Sequence, residues 1–154
     1  MKQDSDHNPE TRADTAEKPG IRLTRGVLRL LLDLDRPGLE EFRLGNHRRA
    51  DVLALGRDGE FWLVEVKSSV ADFQSDEKWH EYLDWCDRFY FAVPEDFPQA
   101  LIPADCGLMI VDPYGGAILR QPEADKLASA RRKKLTLDFA RTAARRRLAE
   151  VNAR

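Results

Sequence analysis

The 154-residue chain has two cysteines, three histidines and no apolar run of membrane-spanning length. Each shortage removes a class of function. Cys86 and Cys106 are too few for a disulfide framework and lack the paired spacing of a zinc site, so reduced, buried thiols are expected. His7, His47 and His80 form no His-Glu-x-x-His set, and His47, close to Asp51, reads as a loop histidine. A membrane helix needs about 20 consecutive apolar residues. With none present, and no secretory leader, no membrane partner and a cytoplasmic location are expected. Charge of either sign is scarcely in excess, at 25 Lys+Arg against 27 Asp+Glu, which by itself speaks against a polyanion ligand. The distribution reverses that impression. Residues 124–154 carry ten Lys/Arg against three Asp/Glu, a balance of +7 that leaves −9 over residues 1–123. A basic C-terminal arm of this kind suits a nucleic acid.

What the sequence does contain is organised around Arg48–Ser69. Two segments rich in strand formers, Arg49–Leu55 and Glu60–Lys67, flank Gly56-Arg57-Asp58-Gly59. A short loop ending in glycine suits a hairpin with Gly59 left-handed. The implied register sets Gly56 opposite Glu60, then Leu55 with Phe61, Leu53 with Leu63, Asp51 with Glu65 and Arg49 with Lys67. Strand side chains alternate with period two, so these positions share one face, while Val52, Ala54, Trp62, Val64 and Val66 form an apolar reverse face for a helix to cover. Two carboxylates would then lie roughly 4.5–5.5 Å apart at Cβ. Like charges set opposite are destabilising, and a hard divalent cation is one way to compensate them. Glu-x-Lys alone is a common accident where 34% of residues are charged. The register, not the tripeptide, raises it above a salt-bridge cluster.

Asp51 followed one hairpin later by Glu65-Val66-Lys67 resembles the signature of the PD-(D/E)XK nuclease superfamily. A longer string is more specific. Arg49-Ala50-Asp51-Val52, Glu65-Val66-Lys67-Ser68-Ser69, Asp72-Phe73, Asp76, Lys78-Trp79, Tyr82, Cys86-Asp87 and Phe91-Ala92-Val93-Pro94 resemble the MmcB-type DNA repair endonucleases of bacteria, over roughly residues 21–149. Ala50 stands where the superfamily name has proline. The resemblance implies an α/β, restriction-endonuclease-like fold, a mixed central sheet flanked by helices. It also implies a metal-dependent DNA endonuclease acting in repair, with Asp51, Glu65 and the Val66 carbonyl on Mg²⁺ or Mn²⁺ and Lys67 as the catalytic amine. The superfamily often adds a third acid, for which Glu41 is the first candidate and Glu40 and Asp33 its rivals.

Elsewhere the chain reads as one domain, residues 21–154, behind a polar tail, 1–20. Thr24 is placed to cap a helix running to about Leu34 with Val27, Leu28, Leu31 and Leu32 inward. Leu39–Leu44 reads as a strand. A helix is expected over about Ser75–Cys86, burying Trp79, Tyr82, Leu83 and Cys86, with Gln74, Lys78 and Tyr82 along its edge. Arg88–Val93 is a continuous apolar strand stopped by Pro94, as in a central position. Gly107–Val111 and Ala117–Arg120 form a second hairpin. The basic region from about residue 124 is helical, with Leu137, Ala140, Ala144, Leu148 and Val151 as its docking stripe. Ser68, Gln74 and Lys78, together with Arg131, Arg132, Lys133, Lys134, Arg145 and Arg146, are the candidate phosphate contacts. A catalytically inactive nucleic-acid-binding or scaffold subunit of a repair complex is the competing reading, with a homodimer or complex partner open in either case.

Overall fold

The structure is a computed structural model and describes residues 17–154; the expected tail lies largely outside them. Six strands form one sheet in chain order: β1 (Gly38–Arg43), β2 (Arg49–Leu55), β3 (Phe61–Val66), β4 (Arg88–Val93), β5 (Gly107–Asp112) and β6 (Gly115–Arg120). The pairs β1–β2, β2–β3 and β5–β6 are antiparallel, and β3–β4–β5 are parallel. Parallel neighbours need covered faces, and two layers supply the cover. Helix α1 (Pro19–Asp33) packs Leu23, Val27, Leu30 and Leu31 against Val52, Val64, Tyr90 and Met109. The other face buries Leu53, Leu63, Phe89 and Phe91 beneath α2 (Val70–Ser75), a 3-10 segment (Trp79–Trp85) and α3 (Ser129–Asn152). Burying a Leu or Val fully contributes about 1.5–3 kcal/mol, so the sheet carries most of the stability. The α/β, restriction-endonuclease-like architecture is the one expected. Among the described residues, no helix is long and apolar enough to cross a membrane.

The central hairpin has the expected register, with Leu55 paired to Phe61, Leu53 to Leu63, and Gly59 left-handed at φ 77°. Helix α1 starts earlier than expected, at Pro19. Thr24 is inside it and donates to the Gly20 carbonyl at 2.8 Å, and Lys18 takes the cap position. Leu32, expected inward, is 65% exposed, and Gly26 takes its place in the packing, where an added Cβ would meet the Asp112 carbonyl at 1.7 Å.

Two further helices differ from expectation. The helix expected over Ser75–Cys86 is broken, because Asp76 leaves the helical region and its carboxylate accepts the Lys78 amide at 2.8 Å. No continuous edge then joins Gln74, Lys78 and Tyr82. Helix α3 docks through a different stripe. Leu135 is buried and Phe139 stacks on Phe42 at 5.9 Å, while Leu137, Leu148 and Val151 face outward.

Candidate metal and phosphodiester site

Strands β2 and β3 run as a regular ladder from Leu55–Phe61 to Val52–Val64 and then part. At the fork, the Asp51 amide donates to Glu65 Oε1 at 3.1 Å, and the Val66 amide donates to Asp51 Oδ2 at 2.8 Å. The Asp51 carboxyl group thereby takes the place that the Ala50 carbonyl would hold in a continued ladder. Because the strands part, the expected Arg49–Lys67 pair does not form; Arg49 instead lies opposite Arg43 of β1.

Glu65 is 5% exposed and Asp51 half-buried. Burial first, then the charge of Asp51, pushes the Glu65 carboxyl up to about 9 against the opposing Asp51 amide and Lys67. Burial also raises Asp51, opposed by the Val66 amide and by Lys67. Two acids this close in a low dielectric do not both ionise, so the pair retains a proton near neutrality.

Lys67 is buried beside them and bonds Asp76 Oδ2 at 2.7 Å. Burial would raise the Asp76 carboxyl, but bonds from the Lys67 amine and the Lys78 and Trp79 amides hold it below the usual carboxylate range. Asp76 therefore serves twice, breaking the expected helix and fixing the lysine amine. The loop after β3 is pinned as well. Ser69 caps α2 by accepting the Asp72 amide at 3.1 Å, and Asp72 accepts the Ser68 amide at 3.2 Å. The Tyr82 hydroxyl donates to the Arg49 carbonyl at 3.0 Å and fixes the end of β2 next to the fork.

Asp51, Glu65, Val66, Lys67 and Ser68 line one cavity of about 810 Å³, together with Glu40, Glu41, Asp72 and the first turn of α1. Asp33, at the far end of α1, does not line it. Glu41 lies directly across β1 from Asp51, yet its backbone is left-handed at φ 47° and no ladder pair forms there. Among the described residues, no three acidic, histidine or cysteine side chains converge closely enough to form a metal-ready cluster. The fork thus brings together two carboxylates, not three.

The candidate phosphate contacts divide into two groups. Gln74, Lys78, Lys133 and Arg145 are exposed. Lys134 pairs along its own helix with Asp138 at 2.8 Å. Arg131 stacks 4.3 Å above the Trp85 ring and donates to the Asp84 carbonyl. Arg132 is taken up by the Asp87 carboxylate and the Gly59 carbonyl, and Arg146 by the Glu40 and Glu41 carbonyls at 2.6 and 3.0 Å. Asp76 and Asp87 are the residues that sequence reasoning left without a role. Their one local signal is Asp76 two residues before the Lys78 amide it accepts, an Asx-type turn.

The chain matches the family described as DNA repair protein MmcB-like over residues 6–153. No curated protein sequence matches it. A solved structure of a protein of unknown function from Silicibacter pomeroyi is similar at 48% identity, covering 90% of this chain and 94% of that one with a TM-score of 0.86.

Proposed function

Because the chain belongs to the MmcB-like DNA repair protein family, we propose that it is a metal-dependent DNA endonuclease that hydrolyses phosphodiester bonds at the Asp51–Glu65–Lys67 fork. The observation that carries this reading is the reciprocal acid pair. Glu65 is buried and Asp51 half-buried beside it, and a divalent cation would offset the repulsion that arises once both are ionised. The donor chemistry fits: hard carboxylate oxygens suit Mg²⁺ or Mn²⁺. The backbone amides engage one oxygen of each acid, which leaves Asp51 Oδ1, Glu65 Oε2 and the Val66 carbonyl as the atoms to hold the ion. When bound, the ion supplies Lewis acidity toward a phosphate oxygen and neutralises negative charge.

The chain's own groups do the rest. Asp51 and Glu65 would hold such an ion fully ionised, the proton that the pair retains near neutrality passing to solvent. The Lys67 amine, aimed by Asp76, would donate to the attacking water and to the non-bridging phosphate oxygen on which charge develops. Ser68 borders the same cavity and, with Arg131, Lys133 and Lys134 at the start of α3, would position the DNA backbone.

In a purified assay with Mn²⁺ on nicked, flap, single-stranded and plasmid DNA, Glu65→Gln and Asp51→Asn should each cut at least about a hundredfold more slowly while melting as cooperatively as wild type. Glu65→Gln cutting at the wild-type rate would refute the proposal.

One observation favours a second reading. Among the described residues two acids converge, not three, and Lys67 is already paired with Asp76, as would suit a DNA-binding subunit without catalysis. Calorimetric titration with Mn²⁺ separates the two: heat that Glu65→Gln abolishes supports the nuclease, and no heat alongside retained DNA binding supports the scaffold.

A further inference from the structure

Helix α3 has two apolar faces, and the domain uses only one. Leu135 and Phe139 dock on the sheet, flanked by Arg132 and Arg146. At 100° per residue, Leu137, Ala140, Ala144, Leu148 and Val151 form a second stripe roughly 150° from the docked one. Leu137 is 55% exposed, Leu148 61% and Val151 48%, with Ala140 and Ala144 exposed between them. No described residue covers it. The stripe runs about 21 Å, four helical turns, with two alanines at its middle that let another helix approach closely and larger side chains at each end.

We propose that this stripe is a docking surface for an acidic amphipathic helix of another protein. Charge selects that occupant. Arg141 and Arg145 border the stripe on one side and Arg147 on the other. Arg141 and Arg145 make no ion pair among the described residues, and Arg147 reaches Glu150 only at 3.7 Å with both side chains largely exposed. A second copy of this chain matches the apolar positions well. Antiparallel pairing about Ala144 sets Leu137 against Val151 and Ala140 against Leu148. A two-fold contact uses the same patch on both copies, however, so each arginine border would meet itself. The chain's own residues 1–16 offer only Met1, Ala13 and Ala16 as apolar side chains. Duplex DNA would engage the arginines and leave the leucines in water. A helix with an apolar face and Glu or Asp borders satisfies both features at once.

The test uses two synthetic four-turn helical peptides with the same leucine face, one bordered by glutamates and one by lysines, titrated by fluorescence anisotropy against the full-length protein. The glutamate-bordered peptide should bind and the lysine-bordered one should not. Leu137→Ser/Leu148→Ser should weaken binding more than tenfold with an unchanged melting curve, since both side chains face solvent. Arg141→Glu/Arg145→Glu should exchange the preference, which keeps the test decisive if the serine variant folds poorly. Equal binding of both peptides, binding of neither, or affinity retained in the serine variant overturns the proposal. So does a dimer in sedimentation that Leu148→Ser dissolves, or duplex DNA binding that Leu148→Ser removes.

Discussion

The Asp87 carboxylate, 2% exposed, accepts the Phe61 amide at 2.7 Å, the Leu127 amide at 2.9 Å and the Arg132 guanidinium. Its own amide and carbonyl bond the Phe61 carbonyl and the Asp125 amide, so this one residue joins the start of β3, the segment before α3 and α3 itself. Burial pushes its carboxyl up, but the bonds from Arg132, Leu127 and Phe61 outweigh burial and hold it below the usual carboxylate range. An acid whose pKa falls on folding contributes stability above its unfolded value of about 3.9, and loses it as pH falls through the folded value. Asp87→Asn keeps the shape but leaves Arg132 half-buried beside a neutral amide, and removing one partner of such a pair costs about 3 kcal/mol. Urea unfolding should therefore show the variant less stable by about that amount at pH 7, with the gap closing below about pH 4. A gap as wide at pH 3 as at pH 7 would mean that the loss is one of packing, not charge. Neither role was legible beforehand. An aspartate after a cysteine, before an apolar strand, has no local signature, and its partners lie 26 to 45 positions away.

At the scale of elements, legibility followed locality. The β2–β3 hairpin was readable because a glycine-ended loop and strand alternation are written within twenty residues. The helix expected after it failed because the Asp76 carboxylate serves Lys67, outside that helix, as well as the Lys78 amide, and helical spacing carries no sign of either bond. The docking face of α3 was misassigned because both of its stripes obey helical spacing, and spacing alone cannot say which one meets a sheet. Strand β1 shows how that docking reaches the site. Left-handed Glu41 interrupts side-chain alternation, so Leu39 and Phe42 both reach the same core cluster. Phe139 then stacks on Phe42, and Arg146, seven residues on along the same helix face, bonds the Glu40 and Glu41 carbonyls. A non-glycine residue in this conformation costs roughly 1–2 kcal/mol, and the guanidinium helps to hold it. Arg146→Ala should lower the melting midpoint by about 2–4 °C and speed amide exchange in residues 38–43. Glu41→Gly added to that background should recover the midpoint, because glycine adopts the left-handed region freely. If Arg146 acted only through phosphate contact, neither the midpoint nor the exchange would change.

Over the whole molecule, the net charge of −2 conceals a division between an acidic body and a basic helix. That division was visible in the sequence, as was the α/β class. The parallel order β3–β4–β5 was not, since nothing local states which strand a buried apolar segment will pair with. The structure also thins the basic helix, because Arg132 and Arg146 spend their guanidinium groups on internal carbonyls and Asp87. What remains for a polyanion includes Lys133 and Lys134 at the start of α3. Lys134 shares an exposed pair with Asp138, which contributes little in water and yields readily to a phosphate. Each phosphate neutralised releases counterions and steepens the fall of log affinity with log salt by about 0.9. Lys133→Ala/Lys134→Ala should therefore flatten the salt dependence of duplex binding by close to two such steps, weakening all sequences alike. Arg132→Ala should instead lower the melting midpoint, its charge already being matched by Asp87 inside the fold. A salt slope unchanged by the lysine pair but flattened by Arg132→Ala would reverse this division of labour and place the DNA path on the Asp87 side of the helix.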